Sequence, residues 1–156
     1  MSNSSDNKSP AAVIGIGNYL RGDDGAGIHA VEKLRKIHAQ DTIDIIDGGS
    51  SGPRLRFYCE GRTHIVFIDA GDFGGASGEW VRFTPDDAVS KKKISSLSMH
   101  GFDLLAFIRE HISGASVSVY AIQPECLEPG TVLSDPVSAG LEDMLDALEE
   151  ELKGFA

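Results

Sequence analysis

Two adjacent aspartates, Asp23 and Asp24, follow the glycine-rich turn Gly15-Ile16-Gly17-Asn18, and another, Asp69, closes the apolar run His64 to Ile68. If Asp24 and Asp69 converge they repel one another, so the pair needs a shared proton or a cation. His100, in Ser98-Met99-His100, could supply an imidazole to the same place. Two carboxylates and one imidazole make an oxygen- and nitrogen-rich donor set suited to a divalent transition metal such as zinc or nickel. Asp47 ends a further short apolar run, and Gln123 and Glu125 follow a later one. Donors spread over distant segments are not diagnostic by spacing. By placement alone, Asp24 and Asp69 read first as helix caps or loop-bracing carboxylates, and His100 as a capping or surface histidine.

What would gather these residues is the order of the elements around them. Apolar runs alternate with stretches of helical period, the pattern of an α/β fold with helices on both faces of a doubly wound sheet. Strands are expected at Ala12 to Ile16, Ile43 to Ile46, His64 to Ile68, Trp80 to Phe83 and Val117 to Ile122. A helix from Ala26 to Ile37 places Ile28, Val31 and Leu34 on one face. Pro53 suits the first turn of a short helix running towards Cys59. Another helix is expected from Gly101 to His111, with Ser98-Met99-His100 as its N-terminal neighbourhood. Ser134-Asp135-Pro136 opens a last one, whose Val137, Leu141, Met144, Leu145, Leu148 and Leu152 form an apolar stripe. Gly71 to Gly78 is expected to be a mobile loop and Pro85 to Ser98 irregular. Ligands of open α/β sheets bind beyond the carboxyl ends of the strands, where strand order reverses. If the first and third strands are neighbours, Asp24 and Asp69 meet in one crevice.

The 156 residues suffice for one domain, expected at 11–156 behind a polar, disordered tail at 1–10. The two cysteines, Cys59 and Cys126, suggest neither a disulfide framework nor a thiolate zinc site, which fits a reducing cytoplasm. No apolar run approaches the roughly 20 residues that span a bilayer, so a soluble protein is expected, by default a monomer. A formal net charge of -10 argues against nucleic acid and anionic membrane as partners. The basic run Lys91-Lys92-Lys93 reads as a solvated loop.

Other chemistries fit less well. Gly15-Ile16-Gly17-Asn18-Tyr19-Leu20 begins like a dinucleotide fingerprint, with Asp47 where a ribose-binding acid would sit, but Leu20 occupies the third glycine position. A pyrophosphate there would also face Asp23 and Asp24 with only Arg21 to offset them. Gly49-Ser50-Ser51-Gly52 is not a G-x-S-x-G elbow, and no H-E-x-x-H helix is present. Cys59 beside Glu60, and Cys126 after Glu125, have acidic neighbours that raise a thiol pKa, so both read as structural. His29, His38, His64 and His111 read as helix-face or strand-edge histidines.

Taken in order, the blocks Gly15-Ile16-Gly17-Asn18 with Asp23-Asp24-Gly25-Ala26-Gly27, Asp47-Gly48-Gly49, Asp69-Ala70, Ser98-Met99-His100 and Pro124-Glu125 resemble the hydrogenase maturation endopeptidases. These trim the C-terminal tail from large-subunit precursors of nickel–iron hydrogenases, and the resemblance runs from about Ala12 to Leu152. It implies a three-layer α/β/α sandwich around a five-stranded, mostly parallel sheet, with Trp80 to Phe83 as the antiparallel strand. It implies Asp24, Asp69 and His100 as a catalytic, metal-contacting cluster of aspartic or metal-assisted type, and Asp47 as a further cleft carboxylate. The implied metal is nickel carried by the precursor, another divalent metal being the alternative in its absence, with no organic cofactor. The implied partner is that precursor. Ser77-Gly78 stands where the family usually has Pro-Gly, and aspartate occupies a first ligand position that is glutamate in some relatives. The competing classes are a non-catalytic precursor-binding module, a nucleotide-binding domain and a general metallopeptidase.

Overall fold

The computed structural model describes residues 8–39, 42–50, 52–87, 96–97 and 103–155. The strand Ala11–Gly15 (β1) is buried along its whole length. Its side chains enter two cores in alternation, Ala11 and Val13 on one side and Ala12 and Ile14 on the other, as a strand covered on both faces requires. The remaining strands are Asp44–Asp47 (β2), His64–Asp72 (β3), Trp80–Phe83 (β4), Ser96–Leu97 (β5) and Ser116–Ile122 (β6). The main sheet runs β2-β1-β3-β6-β4. Its first four strands are parallel and β4 is antiparallel to β6. This is the expected five-stranded mixed sheet, with the antiparallel strand where it was expected.

One face carries Ala26–Ile37 (α1) and Asp135–Leu152 (α4); the other carries Leu55–Cys59 (α2) and Leu104–His111 (α3). The stripe of α4 lies wholly in the core: Val137, Leu141, Met144, Leu145, Leu148 and Leu152 are all buried. Burying each such side chain stabilises the fold by roughly 1.5–3 kcal/mol before entropy is counted. Ahead of β1, the Ser9 amide donates to Asp44 and the Pro10 carbonyl accepts from Thr63. No helix among the described residues is long and apolar enough to cross a membrane.

Besides shifts of one residue at the ends of β1, β2 and β6, three places differ from expectation. β3 does not stop at Ile68 but continues to Asp72, because Gly71 and Asp72 gain a partner in β5, within a stretch expected to be irregular. The glycine-rich segment after it is tied down rather than open. Gln123 Oε1 accepts from the Phe73 and Gly75 amides, and the Gly78 amide donates to the Gln123 carbonyl. α3 starts at Leu104 rather than Gly101, since Asp103 is its N-cap and accepts from the Ala106 amide at 3.1 Å. The expected neighbours of that helix, Ser98, Met99 and His100, lie outside the described residues, as do Lys91, Lys92 and Lys93.

Two glycines let α1 approach the sheet. A Cβ on Gly27 would sit 2.4 Å from the carbonyl oxygens of both Ile16 and Ile68, and one on Gly15 would sit 2.2 Å from the Gly27 carbonyl oxygen. Backbone atoms on both sides leave no room to relax. Gly27→Ala is therefore expected to lower stability by about 3 kcal/mol, read as a shifted urea midpoint with an unchanged slope.

Candidate active site

Past β1 the chain stays on the sheet for one more residue, the Ile16 amide donating to the Ile68 carbonyl at 2.8 Å. It then turns into the short 3-10 segment Gly22–Gly25. Gly17 has φ +144 and backs onto the Asp24 carbonyl, where a Cβ would approach to 2.0 Å, so the turn admits only glycine there. The result is that Asp23 and Asp24 are both fully buried, at 0% exposure, in a segment that packs against β3.

Asp69 is also at 0% exposure. It lies within β3, opposite Ala121 of β6. Asp24 and Asp69 thus stand at the carboxyl end of the central parallel strands, where order reverses between β1 and β3. Carboxylates taken from water demand strong compensation, from hydrogen bonds, a shared proton or a cation. Among the described residues no group of three His, Cys, Asp or Glu side chains is assembled for a metal. His100, the third member expected from the sequence, lies outside them.

Asp47 is the last residue of β2 and is exposed, its Oδ1 accepting from the Gly49 amide at 2.9 Å. That bond holds the Gly48-Gly49 turn, whose Gly49 carbonyl in turn accepts from the Gly17 amide at 3.0 Å. Asp47 therefore braces the same crest of loops, one strand away from Asp24 and two from Asp69.

The residue that sequence reasoning passed over is Asp23. Its Oδ2 accepts from the Glu125 and Cys126 amides, each at 2.9 Å, and from the Ser134 hydroxyl at 2.7 Å; its Oδ1 accepts from the Ser134 amide at 2.8 Å. The Asp23 amide returns a bond to the Cys126 carbonyl at 2.9 Å. Burial alone would raise its pKa. The bonds from Cys126, Ser134 and Glu125 outweigh that and hold the carboxyl below its ordinary value. Ser134 has the extended backbone of an N-cap but its side chain does not cap α4, because its hydroxyl is spent on Asp23. Nothing local marks Asp23 over Asp24; the only signal was two adjacent acids where one would serve.

The remaining cysteines and histidines take other places. Burial pushes the Cys59 thiol up to about 12, with Arg62 and Lys8 opposing only in part. The cause is desolvation rather than Glu60, which pairs with Arg56 instead. Cys126 is free and exposed. His38, expected to be a lone helix-face residue, has its Nε2 2.7 Å from Glu149 Oε1 and so joins α1 to α4. The His29 ring stacks on Tyr19 with centroids 5.0 Å apart.

Residues 28–151 match the family HycI, hydrogenase maturation protease. A Methanocaldococcus jannaschii protein provisionally named a hydrogenase maturation protease is 30% identical over 155 residues, covering 94% of this chain and 98% of that one. The hydrogenase 2 maturation protease of Escherichia coli is 30% identical over 149 residues, covering 88% and 90%. Among solved structures, the hydrogenase maturating endopeptidase HybD from E. coli matches with a TM-score of 0.79 at 25% identity, covering 92% of each chain.

Proposed function

Because this chain belongs to the hydrogenase maturation protease family, we propose that it removes the C-terminal tail of a nickel–iron hydrogenase large-subunit precursor, and that Asp24 and Asp69 do the work. The observation that carries this reading is the pair of wholly buried carboxylates at the sheet's reversal point. An endopeptidase of this family is a hydrolase, and a crevice of this kind suits one whose substrate brings its own cation. Nickel already inserted in the precursor is the cargo that Asp24, Asp69 and His100 would contact, which seats the scissile bond beside the pair. Positioning of that sort supplies a large part of a hydrolytic barrier reduction.

One carboxylate of the pair then accepts a proton from water as its oxygen bonds to the scissile carbonyl carbon, and returns it to the departing amine as the C–N bond breaks. Asp47 shapes the approach through the Gly48-Gly49 turn. The protein is read as a cytoplasmic monomer with no resident organic cofactor.

The test mixes the purified protein with nickel-loaded or nickel-free precursor and looks for the released peptide by mass spectrometry. Release from the loaded form alone is the expected result. Release from both forms removes the nickel requirement. No release from a competent precursor that nonetheless binds would replace the reading with that of a non-catalytic binding module.

A further inference from the structure

Among the described residues, five large hydrophobic side chains stand exposed: Tyr19 at 37%, Leu20 at 65%, Ile37 at 64%, Phe57 at 53% and Val132 at 80%. Single exposed apolar residues are ordinary and need no explanation. Ile37 and Phe57 are of that kind, one ending α1 and the other lying on α2 beneath the Lys8 ammonium. Tyr19, Leu20 and Val132 differ, because the two loops that carry them are joined. The Gly22 amide donates to the Gly130 carbonyl at 2.8 Å and the Gly130 amide donates to the Leu20 carbonyl at 2.9 Å. Arg21 and Gly130 form an isolated parallel bridge between those bonds.

Beneath the bridge, Asp23 fastens both loops. It belongs to the first, and through the Glu125 and Cys126 amides and Ser134 it holds the second at both ends. Tyr19 is further steadied by its stack on His29. Asp24 follows Leu20 by four residues, so the chain that carries the apolar rim runs directly into the candidate site. Exposed Glu125 and Glu128 belong to the same second loop, which gives the rim an apolar centre with a polar border.

We propose that Leu20 and Val132, with Tyr19 beside them, form the surface on which the enzyme docks an apolar patch of the precursor's folded body next to its tail. This rests on the function proposed above and names how that substrate is held. An endopeptidase that cuts one tail from one folded partner needs contacts beyond the scissile bond. A chain with a formal net charge of -10 is poorly placed to supply them by attracting acidic surfaces. Cross-tied loops present their side chains already ordered, which lowers the entropic cost of docking. Exposed aliphatic residues on two loops bridged at Gly130 have the character of a small interface centre.

The test compares wild type with Leu20→Asp/Val132→Asp and Leu20→Ser/Val132→Ser, using nickel-loaded precursor. Both side chains are exposed, so unchanged melting is expected and is checked first. The expected result is a rise in KM of about tenfold or more for the aspartate pair, with kcat within about twofold and complex formation weakened in parallel. The serine pair should give a smaller rise of the same kind, and Leu20→Met/Val132→Ile should restore wild-type KM. Unchanged KM and binding in both polar pairs, with an active wild type, overturns the docking surface alone. A wild type that neither cleaves nor binds competent precursor overturns the proposed function and this surface with it.

Discussion

Asp69→Asn, and separately Asp24→Asn, should leave a folded protein that releases the tail about 10²–10⁴-fold more slowly, the usual worth of a positioned general base. Asparagine keeps the shape of each side chain, so the packing of two fully buried positions is preserved. What it removes is the negative charge that would contact the precursor's nickel and the basic oxygen that would take a proton from water. Melting temperature is expected to stay close to that of wild type, since the substitution keeps side-chain volume and removes a charge that burial disfavours. His100→Ala should lose cleavage in the same way. Single-turnover release, followed by mass spectrometry beside a melting curve, separates the two effects. Wild-type rates from folded Asp24→Asn and Asp69→Asn proteins would remove these carboxylates from the reaction.

Asp23 should behave oppositely, with stability lost first and activity as a consequence. Asp23→Ala strips the acceptor from two amides of the second loop and from both the amide and hydroxyl of Ser134. Leaving these neutral donors unsatisfied costs roughly 1–3 kcal/mol for each that water cannot reach, so a loss of about 3 kcal/mol is expected, to be read from urea unfolding. The pH dependence has a definite sign. The folded carboxyl titrates below its ordinary value, so the unfolded chain takes up a proton first as pH falls. The stabilisation is therefore complete above about pH 4, the ordinary aspartate range, and is lost progressively below it as the folded pKa is approached. Wild type should lose stability across that window more steeply than Asp23→Asn, which has no charge to titrate. Equal slopes for the two proteins between about pH 2 and 5 would show that Asp23 is not the group responsible.

Much of this protein could be read without coordinates, for reasons of period. The helical stripe of α4 and the runs of β1 and β3 are patterns that a strand or helix imposes on its own sequence. Ala26–Ile37 and Trp80–Phe83 fall where they were expected to the residue. The order of glycine and aspartate blocks likewise carried the family, because a turn such as Gly17 tolerates only one residue type against the Asp24 carbonyl. Asp24 and Asp69 were legible as site candidates for the same reason. Asp24 comes after the turn that follows the apolar run of β1, and Asp69 directly after the apolar run of β3, two interior strands of the sheet.

What stayed hidden depends on partners far along the chain. Gly71 and Asp72 are poor strand formers, and they extend β3 only because Leu97 and Ser96 arrive to pair with them. Cys59 owes its raised pKa to burial, not to the neighbouring glutamate. Asp23 and Asp24 are the same residue type in adjacent places, yet four donors from loops about a hundred residues away claim Asp23. The sequence by itself determined most of the elements, the family and the two carboxylates offered as site candidates, since those follow from local period and from turns that one residue type can make. Only the tertiary structure decided which of two neighbouring acids bolts the two loops together, because hydrogen-bond partners are assigned by folding and leave no local mark in the chain.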